Sequence, residues 1–368
     1  MSELSERLGA GFSSIVPELE VWHFGAESFA TCSDCAMKPR AGQILPEHRL
    51  VFKAESRCCT YHPDLPNFLA GRALRRGGNG AQKIRARLEQ IETRYATGIV
   101  RPPELEESYQ NLGKTSFGNA EELTCPYWVS GIHNCSIYAD RNGVCRTWHC
   151  KSVHGAKGHG AWTALRWLLL ELESELAKIV TTSDAPSRDA SAESWVQWYI
   201  ACAERVDALD AESLKSLRTP KLELLISEVA RALSVRDESL PEVVAPSVAD
   251  WFVEPDGVAL TAWSGYDLVD APSWIFELLS RMDGTKTWRA AKSETEVATG
   301  KTVSDDLIHT LHRRGLLSAP EEHAGTGVQW KIHQAPGVEN DHELQALAQR
   351  IIDAMGEDKN LEPADSSS

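Results

Sequence analysis

The chain has 368 residues, of which 42% are apolar and 25% charged, and its formal net charge at pH 7 is −15. This length allows two or three domains and a core of normal size, so a globally disordered chain is not expected. No stretch is as long and apolar as a membrane span, and the first residues lack the basic and apolar parts of a secretory signal. We therefore expect a cytoplasmic protein without a transmembrane helix.

The charge is distributed unevenly along the chain. Residues 1–160 carry 19 Lys and Arg against 17 Asp and Glu, whereas residues 161–368 carry 19 against 36. A protein that clamps duplex nucleic acid needs cations that neutralise phosphates. The acidic second part therefore argues against nucleic acid as a partner.

The first 155 residues are rich in Gly, Pro and Cys, which predicts loops and short elements around a few helices. One helix is predicted over 82–96, where Ile84, Leu88 and Ile91 recur at helical spacing. Further helices are predicted over 161–180, 192–207 and 220–233, and a polar linker over 181–187. This helical part is expected to form a bundle that packs on the cysteine-rich part.

Beyond Pro241 and Pro246 the pattern changes to short strands followed by helices. Strands are predicted at 251–253 and 258–261, then a helix that ends at Asp283-Gly284, and then a helix capped by Ser304 that ends at Gly315. Strands at 316–317 and 328–332 would form a wing. A last helix is predicted over 341–355, followed by a disordered end.

These elements predict a mainly α, α+β protein in which a loop-rich cysteine module packs on helices and precedes a small winged-helix-like domain. The predicted division is a cysteine-cluster metal-binding module at 1–155, a helical region at 156–240, a winged-helix-like domain at 245–335, and a helix with a tail at 336–368.

Cysteine is the most informative residue type, because eight of the nine cysteines lie in one part of the chain. In a reducing cytosol such a group favours metal binding or redox chemistry over disulfides. Cys-x-x-Cys is a spacing at which two thiolates reach one centre, although buried cysteines can also be apolar filler, as we expect for the isolated Cys202. The candidate metal ligands are Cys32, Cys35, Cys58, Cys59, Cys125, Cys135, Cys145 and Cys150.

The metal is left open between iron–sulfur and zinc. Only one Cys-x-x-Cys pair is present, and adjacent side chains such as Cys58 and Cys59 tend to diverge, which mildly favours one or two iron–sulfur clusters over zinc. Arg146 follows Cys145 and is a candidate to bind the cofactor, with a structural ion pair as the alternative. The nearby histidines are expected to be surface or supporting residues rather than ligands; they are His133, His149, His154 and His159.

The second group of cysteines carries a resemblance to a known family. The run Cys125-Pro-Tyr-Trp, Asn134-Cys-Ser-Ile-Tyr, Val144-Cys-Arg and Cys150 resembles the second half of the CxxCxxCC family of cysteine-cluster proteins, the YkgJ type. Asn142 replaces a proline that is usual there, and the compact first half of the family motif is split here by an insertion after Cys35. The resemblance covers roughly residues 30–155 and implies a cysteine-bound zinc or iron centre.

The C-terminal part weakly resembles the PqqD-like winged-helix domains that recognise peptides. The matching segments are 254–257, 278–279, 283–285, Leu311 and 314–317. In such domains a peptide adds as a strand to the edge of the sheet. The resemblance therefore implies a peptide or protein substrate, with a domain used only for packing as the alternative.

Two classes of function follow. The first is an iron–sulfur enzyme that modifies a peptide or protein docked by the C-terminal domain. The second is a non-catalytic zinc or iron protein with a structural, redox-sensing or regulatory role, of which an iron–sulfur transcription regulator is a weaker variant. No Gly-x-Ser-x-Gly, His-Glu-x-x-His or Walker motif points to other chemistry.

Overall fold

A computed structural model of the protein describes residues 12–30, 34–40, 45–46, 48–111, 116–254, 257–320 and 331–334. Helices dominate the described chain and the sheets are small, which confirms the mainly α, α+β class. No helix among these residues combines the length and apolar character needed to cross a bilayer.

The described residues divide into two compact units. The first is drawn from Met1–Pro39, Val51–Cys150 and Ala161–Leu233, and the second from Arg40–Leu50, Lys151–Gly160 and Ser234–Ser368. Most residues of the predicted cysteine module and of the predicted helical region thus share one unit. The two units are described in turn.

The first unit is built on helices. They are α1 (Phe12–Ile15), α2 (Asn67–Arg76), α3 (Gly78–Leu88), α4 (Glu104–Gln110), α5 (Gly143–Thr147), α6 (Gly155–Ile179, in this unit from Ala161), α7 (Ala192–Asp207), α8 (Ala211–Ser216) and α9 (Pro220–Arg236, in this unit to Leu233). Short 3-10 turns lie at Pro17–Glu20, Ile91–Thr93, Glu121–Leu123, Ser130–Ile132 and Tyr138–Asp140. The core runs through α2, α3, α6, α7 and α9.

Helices α2 and α7 pack unusually closely. Gly71 of α2 faces the backbone of α7, and a Cβ atom at this position would lie 1.9 Å from the carbonyl oxygen of Tyr199. Glycine is therefore required here by the space available rather than by its backbone conformation. Helix α7 itself begins where the Ser191 side chain accepts a hydrogen bond from the amide of Ser194.

Two small antiparallel sheets complete the first unit. Strands β1 (Leu65–Pro66), β2 (Arg94–Tyr95) and β3 (Gly98–Ile99) form one sheet in the order β1-β3-β2, with Leu65 opposite Ile99. Strands β4 (Trp128–Val129) and β5 (Asn134–Cys135) form the other, with Trp128 opposite Cys135. The second of these sheets carries one of the candidate metal ligands.

The helix predicted over 82–96 is shorter than expected at its end. Helix α3 begins earlier, at Gly78, and ends at Leu88, after which the chain continues as a 3-10 turn and β2. The last carbonyl groups accept from side chains instead of from a further helical turn: Thr93 donates to the Arg87 carbonyl and Arg94 donates to that of Leu88. The helices predicted over 161–180, 192–207 and 220–233 are present, and α7 has the predicted bounds.

The second unit contains a four-stranded sheet. Strands β7 (Asp250–Glu254), β8 (Gly257–Thr261) and β9 (Val269–Ala271) are antiparallel neighbours, and β11 (Lys331–Gln334) pairs parallel to β7. The helices α10 (Ile275–Arg281), α11 (Trp288–Thr299) and α12 (Asp305–Arg313) follow β9. Ser304 caps α12 as predicted, by accepting a hydrogen bond from the Leu307 amide.

The two strands predicted as a wing pair with other partners. Strand β10 (Leu317–Ser318) is antiparallel to β6 (Ala245–Pro246), whereas β11 joins the larger sheet. Leu317 is fully buried in the core of this unit, so the strand does not form an exposed edge of the kind a wing presents. The helix and tail predicted at 341–368 lie outside the described residues.

Candidate metal centre

Backbone hydrogen bonds bring three of the candidate ligands together. The amide of Cys125 donates to the carbonyl oxygen of Cys59 at 2.7 Å, and the amide of Trp128 donates to the carbonyl of Cys125 at 3.0 Å. Trp128 in turn lies opposite Cys135 in the β4–β5 hairpin. Residues that are far apart in sequence are therefore held side by side by the main chain.

The side chains of six cysteines interact electrostatically, and we call this group the thiol cluster. Cys58 and Cys59 share a side-chain hydrogen bond, and Cys59 interacts with Cys125 and Cys135. Cys145 also interacts with Cys125 and Cys135. The members of the thiol cluster are Cys35, Cys58, Cys59, Cys125, Cys135 and Cys145.

Local structure fixes the position of Cys145 in this group. The residue lies in the short helix α5, and its amide donates at 3.1 Å to the side-chain oxygen of Asn142, which caps that helix. The Asn142 amide group also donates to the carbonyl of Asp64. The residue that replaces the usual proline of the CxxCxxCC pattern thus has two structural roles here.

Burial keeps most of these thiols protonated in the absence of a metal. It raises the pKa of Cys125 to about 12 and also raises the pKa values of Cys35, Cys135 and Cys145. The hydrogen bond between the vicinal thiols raises the pKa of Cys59 and lowers that of Cys58. A metal ligand must be a thiolate, so a metal that binds here has to displace protons.

The thiol cluster is a neighbourhood of thiols and not an assembled coordination shell. Within the described ranges, no three Cys, His, Asp or Glu side chains stand at metal-ligating positions. Cys32 lies outside the described residues. Cys150 is half-buried just after α5, and Cys202 is fully buried in the helical core, where its sulfur lies 3.9 Å from the Val180 carbonyl oxygen.

A buried arginine beside the thiol cluster fits an anionic centre. Arg57 is 3% exposed, and its Nε and Nη1 atoms have no hydrogen-bond partner among the described residues. Its guanidinium lies 5.8 Å from the centre of the Trp128 ring and interacts electrostatically with Cys35 and Cys58. Buried guanidinium donors without acceptors favour a negative partner, which a set of metal-bound thiolates would supply.

A second guanidinium adds to this positive environment. Arg141 interacts with Cys58, Cys135 and Cys145, and its guanidinium lies 3.8 Å from the Tyr138 ring centre. Both arginines favour ionised thiols through their charge. The two guanidinium groups therefore place positive charge beside the thiol cluster.

Arg146 is the arginine that the sequence offered as a candidate to bind the cofactor. Its Nε and Nη2 atoms donate to the carbonyl oxygens of Arg141 and Ala139, so it supports the loop that carries Arg141. Arg57 was not predicted as a site residue, although it directly precedes Cys58. Position next to a cysteine was a usable signal, but burial without a partner is visible only in the structure.

The structure gives these contacts for the four histidines named from the sequence. His149 packs against Trp162 with ring centres 4.6 Å apart, and His159 stacks on Trp263 at 3.9 Å. His133 is exposed at the end of a 3-10 turn, and the carbonyl of His154 accepts from the Gly158 amide.

His62 was not considered from the sequence. Its Nε2 lies 3.0 Å from the Thr124 carbonyl oxygen, next to Cys125 in the chain, and burial lowers its pKa to about 4. The ring is therefore neutral at pH 7, a state in which a ring nitrogen is able to accept. No described residue donates to its buried Nδ1 atom.

No family model, curated protein or solved structure matches the chain.

Proposed function

We propose that this chain is a cysteine-ligated metalloprotein of the CxxCxxCC type and that its metal is an iron–sulfur cluster. The observation that supports this most directly is the convergence of six cysteines from four separate segments beside the buried Arg57, whose Nε and Nη1 atoms have no hydrogen-bond partner among the described residues. Unrelated buried thiols would need no such cation. The thiols require a reducing compartment, in keeping with a cytoplasmic protein.

The ligands would come from the eight clustered cysteines, with the six thiol-cluster members as the first choice. Their number allows one cluster of four thiolates with two thiols left over, or two clusters if Cys32 and Cys150 take part. When bound, such a cluster supplies one-electron transfer. Arg57 and Arg141 would stabilise the thiolates by charge, and Arg57 would also donate hydrogen bonds to sulfur.

Iron–sulfur is favoured over zinc by charge as well as by spacing. Two guanidinium groups beside the thiols suit a centre whose negative charge is spread over several sulfur atoms. Hydrogen bonds to those sulfur atoms and nearby charges tune the reduction potential of such a centre. The vicinal pair Cys58–Cys59 adds a geometric reason, since adjacent side chains tend to diverge. The alternative is a zinc ion that stabilises the fold, and the experiment below distinguishes it from an iron–sulfur cluster.

Anaerobic purification followed by absorption spectroscopy tests the proposal. We expect a brown protein with broad visible absorbance that bleaches with dithionite. Cys145→Ser should lose most of this absorbance, whereas Cys202→Ser, a control in the helical core, should keep it. A colourless wild type with stoichiometric zinc, or equal loss in both variants, would contradict the assignment.

We further propose that the second unit docks a peptide or protein substrate, which would make the protein a modifying enzyme. Strand β9 lies at the end of the four-stranded sheet, and an outer strand can accept a peptide by strand addition. Panning a displayed peptide library on the full chain tests this. Val269→Pro should abolish binding of the selected peptides; selection of none, or unchanged binding, would remove docking from the account.

A further inference from the structure

A cavity of about 440 Å3 lies in the first unit, between α6, the β1–β3 strand pair and the start of α5. This volume is within the range of pockets that hold small organic ligands. Its apolar wall includes Leu65, Ile99, Val144 and Leu170. The cavity therefore offers a surface on which a flat apolar body can pack.

One carboxyl group in the cavity wall is incompletely hydrogen-bonded. Glu173 is 2% exposed, and its Oε2 accepts from the Gly143 amide at 3.0 Å. Its Oε1 has no hydrogen-bond partner among the described residues. A buried carboxyl oxygen without a donor is unfavourable by about 1–3 kcal/mol, so a ligand that supplies the donor gains affinity.

The charged groups of the cavity wall determine which kind of ligand can donate a hydrogen bond to Glu173. Glu173 and Asp64 contribute carboxyl groups, whereas the ammonium of Lys178, which also lines the cavity, is paired with Glu175 at 2.7 Å. Burial raises the pKa of Glu173 to about 7, so this group can exchange a proton with a weak base near neutral pH. A weak base with an N–H donor therefore complements this wall.

The apolar surroundings distinguish between types of nitrogen base. An alkylammonium is a compact and strongly hydrated charge, and moving it into an apolar cavity is expensive. A planar cation with delocalised charge is less strongly hydrated, and its faces can pack on aliphatic side chains. The cavity is better matched to a flat aminoheterocycle than to an alkylamine.

We propose that this cavity binds a small planar aminoheterocycle of the 2-aminopyridine kind, with its N–H edge at Glu173 and its faces against the apolar wall. The site uses no cysteine as a ligand-contacting residue, so it goes beyond the proposed metal centre and does not depend on it. Its position beside Val144 places the bound ring next to the segment that carries Cys145.

Titration of the full-length protein with 2-amino-4-methylpyridine tests the inference, with m-toluidine as the matched compound that lacks the ring nitrogen. We expect saturable binding of the aminopyridine at least tenfold tighter than that of toluidine. In Glu173→Gln this preference should disappear. In Glu204→Gln, which removes an exposed carboxylate from α7, it should remain.

A second variant shows whether misfolding causes a loss of aminopyridine binding. Ser174→Leu adds volume at the cavity wall and should weaken both compounds while Glu173 is still present. Circular dichroism should show native helix content in every variant. No saturable aminopyridine binding to the wild type, equal affinities for the two compounds, or an unchanged preference in Glu173→Gln would each overturn the inference.

Discussion

Replacing Arg57 by methionine should raise the stability of the metal-free protein and weaken the binding of the metal. In the metal-free protein the change removes a buried charge whose Nε and Nη1 atoms have no partner among the described residues. Each buried unpartnered donor costs about 1–3 kcal/mol. The lost cation–π contact with Trp128 offsets about 0.5–2 kcal/mol of this gain. We therefore expect the free energy of unfolding to rise by about 2 kcal/mol.

In the metal-loaded protein the same change removes a charge-assisted hydrogen bond to the thiolates. Such a bond contributes about 1.5–3 kcal/mol, so the metal should bind roughly 10–100-fold more weakly. Urea unfolding of chelator-treated protein measures the first effect. Competition with a chromophoric chelator, or the rate of cluster loss, measures the second.

Arg94→Met is the matched control, because Arg94 is 5% exposed but well bonded. Its Nε donates to the Leu88 carbonyl and its Nη1 to that of Ala190 at 2.8 Å. Its removal leaves those carbonyl groups without a donor and should destabilise both the metal-free and the metal-loaded protein by about 1–3 kcal/mol. If Arg57→Met destabilised the metal-free protein as Arg94→Met does, the inference that the Arg57 guanidinium binds an anionic metal centre would be wrong.

Two further predictions concern stability. Gly71→Ala should destabilise the first unit by about 2 kcal/mol in urea unfolding, because the clash with the Tyr199 carbonyl outweighs the gain in helix propensity. Gly160→Ala in α6 is the control: no atom lies within 4 Å of the added Cβ, so this change should be neutral or stabilising. Burial lowers the pKa of His312 to about 4 from its ordinary 6.5, so the unfolded chain binds the proton more readily and stability should fall by up to about 3 kcal/mol between pH 6.5 and 4. His312→Met should flatten that slope, and a slope equal to that of the wild type would contradict the assignment.

The helices that the sequence predicted well carry their own local signals. Helix α7 has Ser191 as a cap and apolar residues at regular spacing, and its observed bounds agree with the prediction. Helix α2 was not predicted; it follows Pro66 and contains Gly71, two residue types that are unfavourable in helices. The reason for Gly71, its contact with the α7 backbone, is a property of the assembled fold and cannot be read from the pattern.

In the predicted wing and in the candidate site, too, the sequence predicts local features but not the contacts that depend on the assembled fold. Leu317 has the pattern of a short strand, and it is one, but its partner is Pro246, because pairing depends on which core buries the leucine. The sequence identified the cysteines by spacing and count. It did not identify Arg57 or Glu173, whose importance comes from buried polar atoms without partners among the described residues.

The central claim is that the clustered cysteines hold an iron–sulfur centre, and iron, zinc and acid-labile sulfide analysis of anaerobically purified protein tests it most directly. The account predicts iron and sulfide in roughly equal amounts, as in cubane and rhombic clusters. Both should be lost in Cys145→Ser and retained in Cys202→Ser. Stoichiometric zinc without sulfide would contradict it.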